Sequence, residues 1–133
     1  MTDAKIFGAP VIGWTVPPKP DALVIPGRYA VLERLDPAHH GNDLWADFAP
    51  DPAIWDYIPA GPFDDRAAFD TWLEQVAAGI DPFFYAIRDL NSGKALGVES
   101  CLRITPGVGT IELGYIVLSP ALQRTPASTE AFF

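Results

Sequence analysis

The apolar positions after residue 27 follow two periods in turn, and each change of period marks an element. Between Arg28 and Leu35, Tyr29, Val31 and Glu33 alternate with Ala30, Leu32 and Arg34, which predicts a first strand. Asp36-Pro37 then gives a capping acceptor followed by proline at the first helical position. The helix predicted from about residue 37 to 49 buries Leu44, Trp45 and Phe48. Residues 51–63 form a loop dense in aromatics and prolines. Asp64 or Asp65 caps a second helix, whose pairs Ala68/Phe69, Trp72/Leu73 and Val76/Ala77 recur every three to four residues, with Gly79 placed to close it in a left-handed cap.

From Asp81 the period becomes two. Phe83 to Arg88 predicts a strand, Asn91-Ser92-Gly93-Lys94 a turn, and Leu96, Val98, Ser100, Leu102 and Ile104 one face of the next strand. After a second turn at Pro106-Gly107-Val108-Gly109, a fourth strand runs from Thr110 to Leu118. The order is strand, two helices, three strands, and the start of a helix. It predicts an α+β fold with a mixed, mostly antiparallel sheet and two helices between its first two strands. Residues 1–27 are broken by Pro10, Pro17, Pro18, Pro20 and Pro26 but keep Ile12, Trp14 and Val16, so they predict an extended arm lying over a domain at 28–133.

Composition narrows the function. The 133 residues are 49% hydrophobic, enough for one domain, and 17 acidic against 9 basic side chains leave a net charge of -8. Such a chain is a poor match for nucleic-acid phosphates and suits a cationic partner better. The single cysteine, Cys101, excludes an internal disulfide and a multi-thiolate zinc site. No secretory signal appears, and no apolar run nears the roughly 20 residues that span a bilayer. The expectation is a cytoplasmic protein with no membrane partner.

The segment with most chemical content joins the fourth strand to the last helix. Gln123-Arg124-Thr125-Pro126-Ala127-Ser128-Thr129-Glu130-Ala131 brings exposed amides to a helix start, a natural place for an anion such as a diphosphate. Gly114 interrupts its strand and predicts a bulge. His39-His40 lacks a third ligand at a diagnostic spacing and reads as a solvated helix position. No metal site is expected. Ser119 stands outside any Gly-x-Ser-x-Gly elbow, and Cys101 reads as an unreactive strand residue.

The same segment resembles the pyrophosphate motif of the GCN5-related N-acetyltransferase (GNAT) superfamily, Gln/Arg-x-x-Gly-x-Gly/Ala. Its Thr129-Glu130-Ala131 continuation is similar to the branch of ribosomal-protein N-terminal acetyltransferases. Pro126 and Ala127 depart from the motif's glycines, and proline removes one amide. The resemblance covers about residues 28–133 and implies a three-layer acyl-CoA N-acyltransferase fold. It implies acetyl-CoA as donor, held by Gln123, Arg124, Thr125, Ala127, Ser128 and Thr129, with the backbone of Ile116, Val117 and Leu118 along the pantetheine arm. The acceptor is then a small-molecule or peptide primary amine.

Glu112, eleven residues before Gln123, is the general base by resemblance. Amines are mostly protonated near neutrality, so attack on a thioester needs a group to take the proton. The competing reading of Glu112 is a charge on an open sheet face. Trp55, Tyr57 and Phe63 border the acceptor pocket or else serve as core and cover. By the same resemblance the chain is an N-terminal half, ending inside the helix behind the loop. It is expected to be inactive alone and to self-associate through its fourth-strand edge. The alternative is a non-catalytic acetyltransferase-like module that binds a partner through that edge.

Overall fold

In the computed structural model, which describes residues 4–133, five strands form one antiparallel sheet in the order β1 (Val24–Pro26), β2 (Ala30–Arg34), β3 (Phe83–Asp89), β4 (Ala95–Thr105) and β5 (Thr110–Leu118). The helices α1 (Pro37–Phe48) and α2 (Arg66–Ala78) lie between β2 and β3, and the short α3 (Pro126–Ala131) follows β5. The predicted first strand is therefore the second. The end of the proline-rich arm pairs with it, Ile25 opposite Leu32, as an edge strand that tolerates Pro26.

Both helix starts obey the sequence. The Asp36 carboxylate accepts the Ala38 N–H with Pro37 inside the first turn, and Asp65 accepts the Ala68 N–H. Gly79 does not make the predicted left-handed cap, because its φ of -74° and ψ of 156° are extended. The chain leaves α2 straight toward β3, and the carbonyls of Ala77 and Gly79 are taken by the Arg34 guanidinium.

Helices α1 and α2 cover one face of the sheet with an aromatic core. Phe48, Trp55, Phe69, Trp72 and Phe84 meet there with Leu44, Leu73, Val98 and Val117. Phe69 and Trp72 join it through ring contacts to Trp45, Phe48 and Phe63, tilted or edge-to-face. The opposite face carries a smaller cluster of Ala30, Ile87, Leu96, Leu122, Ala127 and Ala131 under α3.

The predicted common face of β4 breaks at both ends. Arg88 pairs with Ala95 while Ile87 pairs with Gly97, so the extra residue Leu96 turns to the α3 side. Near the other end the register shifts between Leu102 and Thr105, and Arg103 sits at φ 48°. The arm lies over the domain only in part. Tyr85 donates its hydroxyl to the Ala22 carbonyl at 2.8 Å and Trp14 rests against Gly109, while Ile6, Phe7, Val11 and Ile12 are exposed.

Candidate functional site

The free edge of β5 carries the predicted bulge. Val117 pairs with Val98 and Gly114 with Ser100, so Tyr115 and Ile116 together oppose the single residue Glu99. The left-handed residue is Tyr115, at φ 51°, rather than the glycine that signalled the bulge. Gly114 is constrained differently. Its carbonyl accepts the Ser100 hydroxyl at 2.8 Å, and a Cβ there would lie 3.0 Å from Leu102. A left-handed tyrosine costs about 1 kcal/mol or more. Packing holds it: the ring stacks over Trp72 and meets Phe84 edge-on at 4.9 Å, and the Tyr115 hydroxyl oxygen accepts the Trp72 indole N–H at 3.3 Å.

Beyond the bulge, the Ser119 N–H bonds to the Leu96 carbonyl, making those two a ladder pair. By the alternation of an antiparallel ladder, Leu118 turns its own backbone groups to the open edge. The Gln123 side-chain amide donates to the Leu118 carbonyl at 3.0 Å. Leu122, fully buried, pins the loop, and Arg124 turns it at φ 58°.

Thr125 then starts α3 with a reciprocal cap. Its hydroxyl accepts the Ser128 N–H, while the Ser128 hydroxyl accepts the Thr125 N–H. Pro126 occupies the first helical position of α3. The amides of Arg124 and Ala127 have no hydrogen-bond partner among the described residues.

Two clefts flank this loop, of about 510 and 620 Å³. Both are lined by Tyr29, Thr125 and Pro126, the first also by Arg28 and Ala127, the second by Arg124 and Thr129. Two arginines thus border one loop of an otherwise acidic chain. Arg28 and Tyr29 were missed by sequence reasoning. They lie nearly a hundred residues upstream, and no local pattern marks them.

The remaining predicted residues stand apart from the loop. Glu112 is on the exposed part of β5, with its carboxylate 2.7 Å from the Arg103 guanidinium, itself largely exposed. Trp55 is built into the core, edge-on to Phe48, Phe63 and Trp72. The crevice beside Trp55 and Phe63 measures about 30 Å³, room for about one or two waters. Tyr57 is 99% exposed. None of the three aromatics lines either cleft beside the loop.

Two further clusters went unread in the sequence. Under the arm, an apolar groove of about 550 Å³ lies over the outer half of β3, β4 and β5, walled by Ile104, Ile111, Leu113 and Phe133. Glu99 lines it, 1% exposed, with neither carboxylate oxygen hydrogen-bonded. Burial pushes its carboxyl up to about 7, and burial also raises the neighbouring Cys101 thiol, keeping it a poor nucleophile.

His40 corrects the reading of a solvated pair: His39 is exposed, but His40 is 1% exposed. Glu33, His39 and His40 bring ligand atoms within 4.8 Å of one another. The geometry nevertheless assigns His40 to a structural network. Its Nδ1 accepts the Asp36 N–H at 3.0 Å, which leaves the proton on Nε2, facing Glu33 at 3.2 Å. A nitrogen carrying that proton offers a metal no lone pair. Burial lowers the His40 pKa, and Arg88 beside Glu33 holds that carboxyl at about 2.

No family model and no curated protein matches the chain. Solved structures do. One is a GCN5-related N-acetyltransferase from Brucella melitensis, 37% identical, with a TM-score of 0.88 over 92% of this chain and 57% of its own. Another is a probable acetyltransferase of the GNAT family from Chromobacterium violaceum, 34% identical, with a TM-score of 0.86 over 100% of this chain and 67% of its own. The chain thus spans a little over half the length of the first and two thirds of the second. No helix among the described residues is long and apolar enough to cross a membrane.

Proposed function

The chain belongs to the GNAT family of acetyltransferases, and on that premise we propose that it serves acetyl transfer from acetyl-CoA to a primary amine. The observation that carries this reading is the pairing of a bulged, open strand edge with a capped loop that keeps two amides free. The free N–H groups of Arg124 and Ala127, with the Arg28 and Arg124 guanidinium groups nearby, suit a diphosphate. Pro126 supplies no amide, so the arginines carry more of the attraction than a glycine-rich loop would require.

Leu118 and Ile116 offer edge backbone groups to the amide-bearing pantetheine arm, as an added strand would. Gln123 holds the Leu118 carbonyl and must swing aside for that carbonyl to pair. Acetyl-CoA, when bound, supplies an acyl group already activated as a thioester. Glu112 takes the proton of the incoming amine, directly or through water, once the exposed Arg103 pair opens. Thr125 and Ser128 keep the loop in place through the cap, and the Thr129 hydroxyl donates to the Thr125 carbonyl. Trp55 and Phe63 act as a rigid floor behind the bulge, and Tyr57 is the one predicted acceptor-side aromatic free to meet a ligand.

Calorimetric titration with CoA tests this reading. A Kd of about 1–100 μM, weakened by Arg28→Ala and Arg124→Ala, supports it. Absence of binding at millimolar CoA would instead favour a non-catalytic module that engages a partner, or a second copy, through the β5 edge. The exposure of Ile111 and Leu113 on that strand is the observation favouring this second reading.

A further inference from the structure

Glu130 lies inside the Thr129-Glu130-Ala131 triplet, yet its carboxylate reaches back about a hundred residues to the start of β2. It accepts three consecutive backbone amides: Arg28 at 2.7 Å, Tyr29 at 2.5 Å and Ala30 at 2.8 Å. Three successive N–H groups converging on one point make an anion nest, and here the anion is the protein's own side chain. The amides, that of Arg28 foremost, hold the Glu130 carboxyl below its ordinary value.

Gly27 makes the seat possible. Its N–H closes a turn on the Ala30 carbonyl at 2.9 Å. A Cβ at that position would lie 2.7 Å from the same carbonyl oxygen and 2.7 Å from the Glu130 carboxyl carbon. Backbone on one side and the clamped carboxylate on the other leave no cheap adjustment. A larger residue at 27 displaces Glu130.

Apart from Leu122 in the loop before it, which is fully buried on the same face, little else ties α3 to the sheet. It has six residues, and those facing inward are Ala127, Ser128 and Ala131, whose small side chains bury little area. The same contact also fixes Arg28 and Tyr29, which line the clefts beside the loop. We propose that Glu130, seated through Gly27, is a positioning residue that locks the α3 loop to the start of β2. It thereby sets the spacing between the loop amides and Arg28. This rests on the reading that the loop takes the diphosphate of an acyl donor.

The test uses Glu130→Ala, Glu130→Gln and Gly27→Ala in the 133-residue chain, with two readouts. The first needs no ligand: hydrogen exchange at the Ser128 and Thr129 amides. In Glu130→Ala these should exchange at least tenfold faster, with β3 and β4 amides unchanged. Gly27→Ala should reproduce this although the carboxylate is intact. Glu130→Gln, which keeps one acceptor oxygen, should fall between. The second readout is CoA affinity well below the melting temperature, expected to weaken about tenfold in Glu130→Ala and Gly27→Ala.

Exchange rates within twofold of wild type in the two alanine variants overturn the proposal. So does unchanged CoA affinity in a variant whose loop has loosened. If wild type binds no CoA, the diphosphate reading fails by itself, and the exchange measurement still decides the lock. Should Glu130→Ala not fold, Glu130→Gln and Gly27→Ala carry the same two criteria.

Discussion

The two faces of this one sheet are finished by different means. The face under α1 and α2 is closed by interlocking rings, and the Ser100 hydroxyl and the His40 ring buried there have partners: the Ser100 hydroxyl bonds Gly114, and His40 bonds Asp36 and Glu33. The other face is closed at one end by the small side chains of α3 over Ile87, Leu96 and Leu122, and at the other it opens into a groove with an unpaired buried carboxylate. The closed face holds the bulge rigid from behind. The open face holds the loop with a capping box and the Glu130 contact. Rigidity comes from packing on one side and from a few polar contacts on the other.

The largest expected effect tests the packing claim. Phe69→Ala removes a fully buried ring from the aromatic core and should cost about 3–5 kcal/mol in urea unfolding. Its counterpart on the open face, Ile111→Ala, truncates a side chain that is 52% exposed and should cost no more than about 0.5 kcal/mol. Equal costs would break the comparison.

The next effect is carried by pH. Glu99 titrates near 7 in the folded chain against an ordinary 4.5, because burial disfavours its charged form. The folded state therefore binds the proton more tightly than the unfolded state. The associated stability is complete below about pH 4.5 and lost as pH rises to about 7, after which the loss is constant. That loss is about 3 kcal/mol. Glu99→Gln should match wild type near pH 4.5, exceed it by up to about 3 kcal/mol at pH 8, and flatten the slope between. His40, whose pKa burial lowers, adds an opposite slope over the same range, so the difference between the two proteins is the readout. A difference that does not grow from pH 4.5 to 8 would show that Glu99 is paired in solution.

How much of this was legible follows from the range of the interactions involved. The helices, their aspartate caps and the strand meander depend on neighbours within four residues, and periodicity located them. Faces were lost where registers slip. Leu96 reads as a partner of Val98 until the extra residue opposite Ile87 and Arg88 turns it over. The bulge was signalled by Gly114, but its left-handed residue is Tyr115, whose strain is compensated by Trp72 on another element. Arg28, Glu130 and Gly27 form one contact across about a hundred positions. No spacing rule reaches that far. Trp55 and Phe63 read as pocket or as core in the sequence; in the fold Trp55 is buried and Phe63 half-buried against it, an arrangement set by α2 and β3 rather than by near neighbours.

A smaller effect tests the bulge against the closed face. Tyr115→Gly relaxes a positive φ but gives up the ring contacts to Trp72 and Phe84. Packing should outweigh strain, for a net cost of about 2 kcal/mol, since burying an aromatic ring is worth more than a single left-handed residue costs. A stabilised variant would mean that the ring contacts contribute less than the strain they hold.

The smallest effect on stability concerns Glu112, and it separates folding from chemistry. Its pair with Arg103 is exposed, so Glu112→Gln should change stability by no more than about 0.5 kcal/mol. Where the chain turns over acetyl-CoA and an amine, loss of the proposed general base should lower the rate by about a hundredfold or more. Arg103→Ala serves as the control, because it opens the same ion pair and leaves the carboxylate in place. If turnover survives Glu112→Gln and instead vanishes in Glu99→Gln, the base lies on the groove side of the sheet. The carboxylate opposite the bulge would then be the one that takes the proton, and the exposed pair on β5 would be only a surface contact.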